Sequence, residues 1–116
     1  MFNPDYIKAL DDYLDANVGD QYKDQPLAQS WARLAKIGEE YGEAVNAFIG
    51  VTGQNPRKGV FGSEDDVDDE LVDVALTALL CLQHRTKDIK VTENIITTRM
   101  IYRLEKAALQ AIEKEG

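Results

Sequence analysis

The chain has 116 residues and a mass of 13.0 kDa, one domain by size. Hydrophobic residues make up 44%, which excludes a disordered chain, and a net charge of −8 excludes the broad Lys/Arg surface that sequence-independent nucleic-acid binding or an anionic membrane requires. One cysteine, Cys81, and one histidine, His84, exclude an intrachain disulfide, a cysteine cluster and a paired-histidine metal motif.

The predicted elements are all helical. Asn3-Pro4 has the pattern of an N-cap followed by proline at the first helical position. Ile7, Leu10 and Leu14 continue a helix over 4–17, and Gly19 stops it. A second helix starts between Pro26 and Ser30 and ends at Gly50. Leu34, Gly38, Tyr41, Val45 and Phe48 form its expected core stripe. Residues 50–62 form a loop with four glycines, Pro56 and the adjacent bases Arg57 and Lys58, long enough to suggest a function.

Ser63, with Asp66 three residues on, predicts a capping box for a third helix reaching Gln83. Acids at 64–66 suit its positive end, and His84 suits its negative end. Residues 87–90 read as a connector. Thr92 or Asn94 opens a fourth helix with Ile101, Leu104, Ala108 and Ile112 as its core stripe. The β-branched alternation of strands is missing. No apolar run reaches the roughly 18 residues a membrane span needs. The segment 1–5 lacks the basic and apolar regions of a secretory leader, so the cytoplasm is the expected compartment.

Two carboxylate motifs carry the chemistry. The second helix holds Glu39-Glu40-Tyr41-Gly42-Glu43, an EExxE pattern, and the third holds Glu70-Leu71-Val72-Asp73, an ExxD pattern. Residues three apart share a helix face, so Glu40 pairs with Glu43 and Glu70 with Asp73. If the two helices pack antiparallel, the pairs face each other, and a hard cation such as Mg²⁺ or Mn²⁺ relieves their repulsion through oxygen ligation. Arg33, Lys36, Glu40 and Glu43 share one face of the second helix. Asp73 stands in the apolar run Leu71 to Leu76, so burial is expected for it, and an unpaired buried carboxylate is costly. Either motif alone is common on solvated helices; both together across one loop single out a metal site. Calcium loops of the EF-hand type and di-iron sites with Glu-x-x-His pairs do not fit the spacing.

These residues resemble the MazG-like all-α nucleoside triphosphate pyrophosphohydrolases, the superfamily that includes dimeric dUTPases and dCTP pyrophosphatases. The resemblance covers residues 31–83, including Asn55-Pro56-Arg57-Lys58-Gly59. It implies a four-helix bundle completed by oligomerisation, a homodimer or a dimer of dimers. It also implies cleavage of a nucleoside triphosphate between the α and β phosphates, giving a monophosphate and pyrophosphate. By the motif, Glu40, Glu43, Glu70 and Asp73 are the Mg²⁺ ligands, with Mn²⁺ as a substitute, and Glu39 supports them or orients water. Lys36, Arg57 and Lys58 are candidates to hold the β and γ phosphates, or are solvated charges. Trp31 either stacks on a base or packs in the core; Tyr41 leans to the core and Cys81 to packing.

Oligomerisation is also expected from the third helix itself. After Glu70 it is apolar on several faces, more than three partly polar helices can cover. The alternative to an enzyme is an acidic interaction module, such as a DNA mimic bound to a basic partner. A mimic spreads its carboxylates; this chain concentrates ten of them in 39–43 and 64–73.

Overall fold

A computed structural model of the chain describes residues 3–115; Met1 and Phe2, part of the segment read above for a leader, lie outside the described residues. All regular structure in them is helical. Helix α1 spans Asp5–Ala16, α2 Pro26–Thr52 and α3 Glu64–Thr86. Helix α4 opens as Ile89–Ile95, passes through a π-helical stretch Ile96–Ile101 and continues as Tyr102–Glu115. A 3₁₀ turn, Asp20–Tyr22, links α1 to α2. No described helix is long and apolar enough to cross a membrane.

The caps follow from local chemistry. Asn3 Oδ1 accepts from the Asp5 backbone N–H at 2.9 Å, and Pro4 has helical angles, as the first helical residue should. The capping box at α3 is present in both halves: Ser63 Oγ accepts from the Asp66 N–H, and Asp66 Oδ2 accepts from the Ser63 N–H.

Several boundaries differ from the sequence expectation. Helix α2 runs past Gly50 to Thr52 and ends where Gly53 takes a left-handed φ of 67°. Helix α3 extends to Thr86. Asp88, expected in a connector, caps α4 by accepting from the N–H groups of Lys90 and Val91, so the helix starts at Ile89 rather than Thr92 or Asn94.

Helices α2 and α3 form an antiparallel hairpin with the most extensive helix–helix contact in the chain. A small residue suits the close approach: Ala44 is buried on α2. Helix α1 lies against α3, and the start of α4 closes over both. The apolar core sits at that junction, with Ile7, Leu80 and Ile96 buried and Leu79, Leu82 and Ile89 around them. Cys81 is buried beside it, as its packing role predicts.

The expected core stripes of α2 and α4 are not covered within this chain. Leu34, Tyr41, Val45 and Phe48 are exposed, as are Trp31, Leu104 and Ile112. Asp73 is exposed too, because its neighbours Leu71, Val72 and Leu76 are themselves at the surface. The period of these residues is that of amphipathic helices, yet the chain alone has too few layers to bury them.

Candidate metal centre

The α2–α3 hairpin brings Glu40, Glu43 and Glu70 together. Each offers a carboxylate oxygen, and the three oxygens lie within 4.8 Å of one another. Oxygens around an octahedral Mg²⁺ stand about 3–4 Å apart at the usual ~2.1 Å bond length, so small side-chain rotations bring three into one coordination shell. The turn spacing within α2 puts Glu40 and Glu43 on the side of the helix that meets α3, and Glu70 faces them from the second turn of α3.

The electrostatics of the cluster are those of carboxylates that repel one another. Burial pushes the Glu70 carboxyl above its ordinary value of 4.5. The charge of Glu43, then that of Asp73, a hydrogen bond with Glu43 and the charge of Glu40 push the same way. Glu70 Oε2 is a buried oxygen without a hydrogen-bond partner. A divalent cation answers both features, since it neutralises the repulsion and takes up the orphaned oxygen. The donor set is all oxygen, which suits Mg²⁺ or Mn²⁺.

The other residues singled out in the sequence occupy varied places. Asp73 follows Glu70 by one turn and acts on it through its charge, but its oxygens are not among the three that converge. Its backbone carbonyl accepts from Thr77 Oγ1 at 2.6 Å. Glu39 is exposed and bound to Lys36 at 3.0 Å; Lys36 also reaches Glu40 at 3.4 Å. The hydrogen bond with Glu39 raises the Lys36 pKa, against partial desolvation, and the bond with Glu40 adds to the rise. Lys36 is thus a cation resting on the rim of the cluster.

Arg57 and Lys58 stand at the tip of the hairpin in a turn closed by Asn55, whose carbonyl accepts from the N–H groups of Lys58 and Gly59. Gly59 has φ 71°, a conformation open to glycine. The nine residues from Glu43 to the end of α2 put this turn roughly 13 Å along the helix from the acids. Trp31, nine residues before Glu40, stands about two and a half turns from it toward the other end of α2. There it lines an apolar cleft with Leu27, Leu34, Cys81 and Arg85. The single chain therefore does not bring Trp31 to the carboxylates.

A second charged cluster was not anticipated from the sequence. Asp11, fully buried, and Asp15 on α1 meet Arg33 of α2 and His84 and Lys87 of α3 and its cap. Arg33 Nη2 is 3.0 Å from an oxygen of each aspartate, and Lys87 Nζ donates to both. His84 Nδ1 lies 3.3 Å from Asp15 and 3.1 Å from Lys87 Nζ, so the residue is a buried member of this polar network and does more than end the helix. Oxygens of Asp11 and Asp15 and a ring nitrogen of His84 also lie within 4.8 Å of one another, but here two permanent bases, Arg33 and Lys87, balance the two acids, so the cluster already works as a fastener between helices. Lys87 holds a left-handed φ of 56°, where glycine is favoured, and its ammonium is what the position gains in exchange. A signal for the network existed: Asp11 falls four residues after Ile7 on the buried face of α1.

Comparison of the chain with protein-family models, with curated proteins and with solved structures finds no match.

Proposed function

We propose that the chain is a Mg²⁺-dependent nucleoside triphosphate pyrophosphohydrolase similar to the MazG-like enzymes, releasing a nucleoside monophosphate and pyrophosphate in nucleotide-pool house-cleaning. The observation that carries this reading is the convergence of Glu40, Glu43 and Glu70 from two helices, with a buried oxygen of Glu70 lacking a partner. A divalent cation held there supplies neutralisation of phosphate charge and activation of water. The protein's own part is positioning, which is most of what phosphoryl chemistry needs. Glu40, Glu43 and Glu70 hold the cation, and Asp73 joins them by rotating about its side-chain bonds. Lys36 exchanges its contact with Glu40 for a phosphate oxygen once the acids are neutralised. Glu39, freed from Lys36, accepts a proton from water. Arg57 and Lys58, exposed at the hairpin tip, meet the distal phosphates. Trp31 remains a candidate for stacking on the base, about two and a half turns along α2 from Glu40.

The rival reading, an acidic interaction module, is disfavoured because the carboxylates converge where a surface mimic spreads them. The test is a panel of natural and damaged nucleoside triphosphates incubated with Mg²⁺ and assayed for products. The reading expects pyrophosphate and a monophosphate from at least one of them. Orthophosphate and a diphosphate, or no turnover of any, contradicts it.

A further inference from the structure

Helix α4 leaves α-geometry over Ile96–Ile101, its π-helical stretch. The sequence gives a reason. Ile95-Ile96-Thr97-Thr98 is a run of β-branched residues, whose side chains crowd an α-turn. Thr98 Oγ1 also donates to the carbonyl of Asn94 at 2.8 Å, a back-bond that loosens the turn it sits on. Turns of this kind are rare and recur at functional sites, and the extra residue re-aims the helix beyond it by about 100°.

Where α4 parts from α3, a cleft of about 410 Å³ opens beside this stretch. Leu79 and Leu82 of α3 line it with Ile96 and Met100 of α4, and the exposed Arg99 and Arg103 line it too. No acid is among the lining residues. Leu79 and Leu82 follow Glu70 by nine and twelve residues, roughly 13–18 Å along α3, so the cleft is separate from the carboxylate cluster.

The two guanidiniums stand four residues apart on one helix, where like charges repel. Acids outnumber bases 21 to 13 in the chain, yet neither arginine takes part in an ion pair among the described residues. Guanidinium forks match phosphate oxygens in pairs. A carboxylate brings a single charge, whereas a phosphomonoester brings about −1.5 to −2 at neutral pH and three acceptor oxygens, enough for both arginines. The apolar floor asks for a body as well as a head. Met100 adapts to an irregular shape, and a planar guanidinium stacks on an aromatic ring. The volume is that of a small-molecule site.

We propose that the α3–α4 cleft is a second ligand site, which takes a small phosphomonoester with an aromatic body: the phosphate on Arg99 and Arg103, the body over Leu79, Leu82, Ile96 and Met100. Its binding needs no divalent cation, because the two arginines supply the positive charge. The inference goes beyond the phosphohydrolase reading and does not rest on it.

The experiment follows amide and methyl resonances of the full chain, with EDTA present, as phenyl phosphate or inorganic phosphate is added. Phenyl phosphate should shift the amides of residues 95–103 and the methyls of Leu79, Leu82 and Met100, and bind at least 10-fold more tightly than inorganic phosphate. Arg99→Gln and Arg103→Gln should each weaken it at least 10-fold. Lys114→Gln, the same loss of charge about 16 Å further along α4, should not. Both arginines are exposed, and unchanged resonances away from the cleft report that their variants fold. Displacement of phenyl phosphate by dTMP or dGMP makes the natural body a nucleoside; binding of phenyl phosphate alone makes it a smaller aromatic, with the site upheld in both cases. Absence of shifts at the cleft, equal affinity for inorganic phosphate, or arginine variants that bind as the unaltered chain does would overturn the proposal. Glu70→Gln should bind phenyl phosphate as the unaltered chain does, so a failure here is distinct from a failure of the carboxylate site.

Discussion

The backbone N–H of Phe61 donates to the carbonyl of Gly50 across 2.9 Å, and the Phe61 ring covers the spot where a Cβ on Gly50 would stand, 2.7 Å away. This contact clamps the end of α2 to the segment leading into α3. It fixes the register of the hairpin, and with it the level at which Glu70 meets Glu40 and Glu43. Gly50 thus acts on the acid cluster through geometry, from two turns away.

Gly50→Ala is expected to destabilise the fold by about 1–3 kcal/mol, the usual cost of forcing atoms into a filled contact. Gly42→Ala is the control, since nothing stands within 4 Å of an added Cβ there. Urea unfolding of both variants checks the difference. Equal stabilities would show that the Phe61 contact gives way without cost.

The pH dependence of the metal-free protein follows from Glu70. Its carboxyl is held above the ordinary value of 4.5 in the folded chain, by burial first and then by the charges of Glu43, Asp73 and Glu40. The folded state therefore binds this proton more tightly than the unfolded state, and stability falls as pH rises from 4.5 through the raised folded value. Mg²⁺ displaces the proton, so the thermal shift it causes should be larger at pH 7 than at pH 4.5. Glu70→Gln should flatten the fall and remove the shift. A thermal melt series with and without Mg²⁺ checks both.

The ionic network on α1 has the opposite sign. Burial raises the Asp15 pKa, but the hydrogen bond and charge of Lys87, with His84 and Arg33, outweigh it and leave the group below 3.8. Its stabilisation is present above 3.8 and is lost as pH falls through the lowered folded value. Asp15→Asn should remove that part of the acid-side loss. Removing Asp11 is harsher, because it takes from Arg33 and Lys87 the fully buried one of their two carboxylates and leaves Asp15 alone to pair both; Asp11→Ala should cost about 1–3 kcal/mol. Denaturant titrations at pH 3 and pH 7 check both variants.

What the sequence made legible was local or paired. Helix period, the Ser63 capping box and the EExxE and ExxD spacing depend on residues three or four apart, and the structure contains the elements they predict. The convergence of Glu40 and Glu43 with Glu70 needed one further step, an antiparallel hairpin, which the single loop between α2 and α3 supplies. Burial was less legible. Asp73 stands among apolar residues, yet those residues are themselves exposed in a single chain, so apolar neighbours did not mean an interior. The Asp11–Arg33–Lys87 network was legible only in part: helical spacing puts Asp11 on the buried face with Ile7, but its partners come from helices far apart in the chain, and no spacing rule connects them.

For the loop, Lys58→Ala should leave metal affinity nearly unchanged while weakening turnover of the best nucleotide, since its turn lies away from the carboxylates. Lys36→Ala should act differently. Losing a cation 3.4 Å from Glu40 sharpens repulsion among the acids and raises affinity for a divalent ion. Calorimetric titration with Mg²⁺ distinguishes the two, and steady-state kinetics report the turnover.

The central claim is that Glu40, Glu43 and Glu70 form a divalent-cation site, and Mn²⁺ titration followed by electron paramagnetic resonance tests it most directly. The free Mn²⁺ signal should fall as the unaltered protein is added at pH 7, and Glu70→Gln and Glu40→Gln should each restore most of it. A free-ion signal that the unaltered protein leaves untouched, or that both variants quench as strongly as it does, would contradict the account.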